Sequence, residues 1–141
     1  MARVRVLLAD DHPPLLAAVR RLLGPEFEVV GEAHTGEDAI RLARDLRPDV
    51  VLTDLAMPRK GGLEAIRQIA KDRSATAIVV LTVLADPAVR DAAMQAGARA
   101  YVVKARAGVE LVPAISAALA GPANSASGMP QAAGNGELPA S

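Results

Sequence analysis

A five-stranded parallel sheet, doubly wound with helices on both faces, is the α/β fold class this sequence predicts. Short apolar, β-branched runs alternate with segments of helical periodicity over residues 1–121. Three of the runs, Val50-Val51-Leu52, Ile78-Val79-Val80-Leu81 and Tyr101-Val102-Val103, are continuously apolar, as parallel strands covered on both faces are. The connections are short, so successive β-α units lie side by side.

Taken in order, the first strand is expected at Val4–Ala9, and the helix after it carries the stripe Leu15, Leu16, Val19, Leu22 and Leu23. A second strand comes next at Phe27–Ala33. Thr35 and Asp38 can then form a capping box for a helix striped by Ala39, Ile40, Ala43 and Leu46. Arg47-Pro48 ends that helix, because the residue before proline is pushed out of the helical region. The third strand is expected at Asp49–Thr53, with Met57-Pro58 as the turn behind it, and Leu63, Ile66, Ile69 and Ala70 mark the third helix. Ala77–Thr82 is the fourth strand. Asp86 reads as an N-cap with Pro87 in the first helical position, and Gly97 suits the C-terminus of that helix. The fifth strand, Ala100–Val103, precedes a helical stretch over Val109–Ala120 that contains Pro113. Proline removes a backbone donor and crowds the preceding turn, so this helix should either start about a turn before it or kink there. Beyond Gly121 the composition turns to Pro, Ala, Gly, Ser and Asn, with Glu137 the single charged residue. Residues 122–141 are therefore expected to be a flexible tail or interdomain linker.

Composition removes several classes of function. At 141 residues the chain fits one domain with a sizeable core, and 51% hydrophobic content argues against disorder over most of it. No apolar run is long enough to span a bilayer, and no leader pattern opens the sequence. Without cysteine there are no disulfides and no thiolate metal sites, which is compatible with a reducing cytoplasm. Net charge is zero, the basic residues are scattered, and one Tyr and one Phe offer little surface for stacking bases. Direct nucleic-acid binding by the residues present is not expected.

In open parallel sheets ligands gather beyond the carboxyl ends of the strands, so the residues just after each strand carry most of the information. Asp10-Asp11 come after the first, Asp54 after the third and Lys104 after the fifth, while Thr82 closes the fourth; His34-Thr35 after the second is less telling. Each residue has an ordinary reading as a cap, a turn residue or a surface charge. Four strand ends agreeing at one edge outweigh those readings. Three carboxylates placed together repel one another, and their pKa values should be driven apart unless a cation sits among them. Mg²⁺ is the natural candidate: a hard ion that accepts a few carboxylates and keeps several waters. Thr82 would then donate to a phosphate oxygen and Lys104 add a second positive charge. Together with a carboxylate nucleophile, those are the requirements of phosphoryl transfer.

These stretches carry a family resemblance. Val6-Leu7-Leu8-Ala9-Asp10-Asp11-His12, the run from Pro48 through Asp54 to Pro58, Leu81-Thr82 and Tyr101-Val102-Val103-Lys104 resemble the signatures of response-regulator receiver domains of two-component systems. The matches run in order through about the first 120 residues at the right spacings, which makes them far more specific than a lone motif. Val29-Val30-Gly31-Glu32-Ala33 and Gly62-Leu63-Glu64-Ala65-Ile66 resemble in particular the subfamily that usually carries a helix-turn-helix output domain. The resemblance implies a flavodoxin-like strand order 2-1-3-4-5 and a cytoplasmic phosphoprotein. It implies that Asp54 accepts a phosphoryl group from the phosphohistidine of a sensor kinase. Asp11, Asp54 and the backbone carbonyl of Ala56 would ligate Mg²⁺, with Asp10 acting largely through water. Thr82 and Tyr101 would be the switch pair, and Lys104 would pair with the phosphoryl oxygen. A homodimer through the fourth helix, fifth strand and fifth helix is a further family expectation.

Three residues depart from the pattern. Val83 stands where a small residue usually comes after the switch hydroxyl, and its branched side chain is expected to crowd the entrance or alter phosphoryl turnover. Gly108 and Pro113 differ from the usual start of the final helix, which bears on the switching surface more than on the acceptor. A phosphorylation-independent, receiver-like interaction module is the competing reading. An aspartyl-phosphate hydrolase fits poorly, because the second Asp it needs two positions beyond the nucleophile is Ala56 here. No Gly-x-Gly-x-x-Gly comes after the first strand, which removes a dinucleotide-binding enzyme.

Overall fold

In the computed structural model, which describes residues 3–56, 61–73 and 75–121, each expected strand forms. The elements are β1 (Val4–Ala9), α1 (Pro13–Leu22), β2 (Phe27–Ala33), α2 (Gly36–Leu46), β3 (Val50–Thr53), α3 (Gly62–Asp72), β4 (Ala77–Thr82), α4 (Pro87–Ala96), β5 (Ala100–Val103) and α5 (Ala107–Ala120), with a 3₁₀ turn at Lys104–Arg106 before α5. The expected turn at Met57-Pro58 and the tail over residues 122–141 lie outside the described residues.

All five strands pair in parallel, in the order β2-β1-β3-β4-β5. Alternation along the strands divides the core into two layers. On one face Val6, Leu8, Val50, Leu52, Val79 and Leu81 pack against Leu16 and Val19 of α1 and Leu111 and Ile115 of α5. On the other, Leu7, Val51, Ile78 and Val80 meet Ala39 and Ala43 of α2, Ile66 and Ile69 of α3 and Ala93 of α4. Leu22, counted in the stripe of α1, is exposed at the end of that helix.

The punctuation sits where expected. Thr35 caps α2 by accepting the Asp38 N–H at 3.0 Å. Arg47 ends α2 in the left-handed conformation just before Pro48, and the Arg5 guanidinium donates to the carbonyls of Leu46 and Arg47 at 2.8 and 3.0 Å. Asp86 caps α4 by accepting from the Ala88 N–H at 2.8 Å. Gly97 closes α4 at φ 128°, a conformation that favours glycine.

The last helix begins earlier than the short alternative expected. It starts at Ala107, and Pro113 lies inside it. The ring is exposed, and the Val109 carbonyl that its missing N–H would have met belongs to a residue 75% exposed, so water can take the lost bond. Buried Leu111, Ile115 and Ala118 hold the helix to the sheet on either side of the proline. Tertiary packing outweighs the local cost.

Candidate functional site

The chain turns to opposite sides of β1 on its way to β2 and β3, and the crevice at that reversal is where open sheets hold ligands. Asp10 and Asp11 leave β1 there, and Asp54 leaves β3 alongside. Its N–H donates to the Ala9 carbonyl at 2.9 Å, which extends the ladder by one bond and fixes the two acidic ends against each other.

Carboxylate oxygens of Asp10, Asp11 and Asp54 lie within 4.8 Å of one another. As residues just past a strand Asp10 and Asp11 look alike, and the fold gives them different exposure. Asp10 is 4% and Asp54 7% exposed, whereas Asp11 faces solvent. Each buried acid is oriented by a backbone donor. The His12 N–H reaches Asp10 Oδ1 at 3.0 Å, and the Leu55 N–H reaches Asp54 Oδ1 at 2.7 Å.

Lys104 arrives from the opposite side, carried in by the 3₁₀ turn after β5. Its Nζ lies 3.0 Å from Asp10 Oδ2 and 3.3 Å from Asp54 Oδ2. One ammonium therefore bridges both buried carboxylates, while a cluster of three acids and one base remains net negative. Hard oxygen donors around a surplus of negative charge suit a hard divalent cation.

Thr82 and Tyr101 lie beside this cluster on the face covered by α4. The buried Thr82 hydroxyl accepts the Leu84 N–H at a long 3.4 Å, and the Tyr101 hydroxyl donates to the Leu84 carbonyl at 2.6 Å. Both hydroxyls thus hold one residue of the β4–α4 loop. Burial pushes the Tyr101 hydroxyl above its ordinary pKa; the negative charge of Asp86 adds to this, Arg90 opposes it, and Asp54 adds a last increment. Val83, between Thr82 and Leu84 in that loop, is 70% exposed. Ala56, two residues beyond Asp54, is exposed.

Asp10, Asp11, Asp54 and Lys104 meet at this edge, and Thr82 closes β4 on the same edge with its hydroxyl on the Leu84 N–H. Sequence reasoning did not single out Leu84 as the residue held by both hydroxyls, nor the contact of Gly62 with the Asp54-Leu55 backbone. The Gly61-Gly62 pair opening a helix, where a Ser, Thr or Asp cap is commoner, was a readable signal for the second.

Residues 6–116 match the response regulator receiver domain family. The chain belongs to that family. It is 41% identical over 120 residues to the response regulator GacA of Pseudomonas aeruginosa, covering 84% of this chain and 56% of that protein. It is 40% identical over 120 residues to the transcriptional regulatory protein LiaR of Bacillus subtilis, again covering 84% of this chain and 57% of the relative. The chain thus spans little more than half the length of these relatives. Among solved structures, a two-component response regulator of the LuxR family from an Aurantimonas species superposes with a TM-score of 0.81 at 41% identity, over 86% of this chain and 88% of that one. The strand order and the acidic cluster agree with this membership, and it favours a phosphorylated receiver over a phosphorylation-independent module. Among the described residues no helix is long and apolar enough to cross a membrane.

Proposed function

We propose that this receiver takes a phosphoryl group on Asp54 from the phosphohistidine of a sensor kinase, and that the modification switches a surface near the β4–α4 loop. The observation that carries this reading is the convergence of Asp10, Asp11, Asp54 and Lys104 at the reversal of strand order. Asp54 is the nucleophile: Oδ1 is held by the Leu55 N–H, which leaves Oδ2 to attack once Lys104 moves to the incoming oxygens. Asp11, Asp54 and the carbonyl of Ala56 would hold Mg²⁺, with Asp10 behind them through water. When bound, the ion supplies positive charge to the phosphoryl oxygens, and Lys104 supplies more from the other side.

The chain itself promotes only its own phosphorylation and dephosphorylation. As Thr82 turns its hydroxyl toward a phosphoryl oxygen, the Leu84 N–H loses its acceptor, and as the Tyr101 ring turns inward behind it the Leu84 carbonyl loses its donor. Both ties on the β4–α4 loop are then released. Residues 1–121 constitute the receiver, and the composition of residues 122–141 suits a linker to an output domain. Similarity to LiaR, a transcriptional regulatory protein, and to the helix-turn-helix subfamily supports transcription as the output; the location proposed with it is the cytoplasm. A homodimer through α4, β5 and α5 would be its active assembly.

The test is NMR titration of wild type and Asp54→Asn with Mg²⁺ and then beryllofluoride, a mimic of the acyl phosphate. Wild type should show Mg²⁺ shifts near Asp11 and Asp54, then beryllofluoride shifts reaching Thr82, Leu84, Tyr101 and Lys104. Asp54→Asn should lose the second response. A wild type that binds neither ligand would sink the proposal.

A further inference from the structure

Gly62, the first residue of α3, sits against the backbone of the acceptor loop with no room for a side chain. A Cβ built on it would lie 2.4 Å from Leu55 Cα, 2.6 Å from the Asp54 carbonyl oxygen and 2.8 Å from the Leu55 carbonyl carbon. All three are backbone atoms, which cannot swing aside as the tip of a flexible side chain can. The need is for space and not for unusual dihedrals, since among the described residues only Gly97 and Gly121 are glycines with positive φ. The close approach also carries a hydrogen bond, from the Gly62 N–H to the Leu55 carbonyl at 3.1 Å. Leu55 in turn donates its own N–H to Asp54 Oδ1 at 2.7 Å. A short chain of backbone contacts therefore runs from the first turn of α3 to the acceptor carboxylate. Gly61, one residue earlier, has nothing within 4 Å of its own virtual Cβ.

We propose that Gly62 is a positioning residue: its missing side chain lets α3 dock on Leu55, and the docked Leu55 peptide aims the Asp54 carboxylate for metal and phosphoryl group. A Cβ at this position pushes the Asp54–Leu55 backbone off the helix, loosens the bond to Oδ1 and disturbs the Ala56 carbonyl next in the chain. The inference rests on the reading of Asp54 as acceptor, and the experiment separates the two.

Mg²⁺ dissociation constants are measured by amide shifts for wild type, Gly62→Ala, Gly61→Ala and Leu111→Ala. The last weakens the fold at the opposite face and leaves the loop untouched. Gly62→Ala is expected to weaken Mg²⁺ binding about 10- to 100-fold, the range seen when a support behind a metal ligand is lost. Gly61→Ala and Leu111→Ala should stay within about twofold of wild type on the same scale. If Leu111→Ala weakens binding as much as Gly62→Ala, the effect is general instability and the inference falls; it falls too if Gly62→Ala binds like wild type. Should wild type itself fail to bind Mg²⁺, the acceptor reading fails first. A second measurement needs no folded variant. Coupling is reciprocal, so saturating Mg²⁺ must slow hydrogen exchange at the Gly62 amide of the wild type more than at Gly61. Equal slowing at both amides overturns the proposal.

Discussion

Replacing Lys104 probes the balance of charge at this edge most directly. Its ammonium touches two carboxylates whose side chains are 6% and 9% exposed, at 3.0 and 3.3 Å. Charge-assisted hydrogen bonds of this kind contribute about 1.5–3 kcal/mol each, and stripping one partner from a buried pair costs about 3–5 kcal/mol. The acids left behind also repel: two unit charges 4.8 Å apart, the outer limit for these oxygens, oppose each other by about 3.5 kcal/mol at an effective dielectric of about 20. Water admitted beside exposed Asp11 offsets part of this, so Lys104→Met should lose about 2–4 kcal/mol of stability without metal. Methionine keeps the apolar stem, so lost packing is not the cause. Mg²⁺ should then recover the deficit, because the cation takes over the role of the ammonium; at about 100 times its dissociation constant a ligand stabilises by about 2.7 kcal/mol. The assay is urea denaturation followed by circular dichroism, in EDTA and across a Mg²⁺ series. The reasoning is refuted if Lys104→Met matches wild type in EDTA, or if Mg²⁺ stabilises both proteins equally.

Two further substitutions test the surroundings. Tyr101→Phe removes the bond to the Leu84 carbonyl and should cost about 0.5–1.5 kcal/mol near neutral pH. Because burial raises the hydroxyl's pKa in the folded state, its contribution is full below the unfolded value of about 10 and is lost as pH rises through the folded one. Wild type and Tyr101→Phe should therefore converge in urea melts taken at increasingly alkaline pH, and a constant gap would refute the linkage. Leu111→Ala should cost about 2–5 kcal/mol, because Leu111 is fully buried in the layer that pins α5 to the sheet. A loss under about 1 kcal/mol in the same melts would mean that α5 is not packed through Pro113 as described.

How much the sequence made legible depends on where each signal is encoded. Continuous apolar runs such as Ile78–Leu81 have no polar face, so they identify central parallel strands without help from the rest of the chain. Caps are equally local: Thr35, Asp86 and Gly97 announce helix ends within a few residues of themselves. Convergence of Asp10, Asp54 and Lys104 was readable because a parallel sheet puts every strand's carboxyl end on one edge. The course of α5 was not readable. Pro113 is a strong local signal for a break, and the burial of Leu111 and Ile115 that overrides it depends on β4 and β5. The unequal exposure of Asp10 and Asp11 was also out of reach, since it is set by the bend of the chain just past β1 and not by residue type.

The same bend bears on why two acids stand together at this strand end. The chain bends at Asp11, just past the end of β1, so Asp10 and Asp11 do not meet Lys104 in the same way. Asp10 turns inward and takes the ammonium, held by the His12 N–H as well. Asp11 stays at the mouth, in water, with an oxygen still within 4.8 Å of the other two acids. One buried carboxylate thus fixes the charge that must be present whether or not a cation is bound. An exposed one remains for whatever enters from solvent. Neutralising Asp10 and neutralising Asp11 are therefore not equivalent changes. The first strands Lys104 beside Asp54 alone and reaches into the fold, whereas the second is expected to lower affinity for a cation while leaving the buried pairs standing. Mg²⁺ titration and urea melts of Asp10→Asn and Asp11→Asn would separate the two.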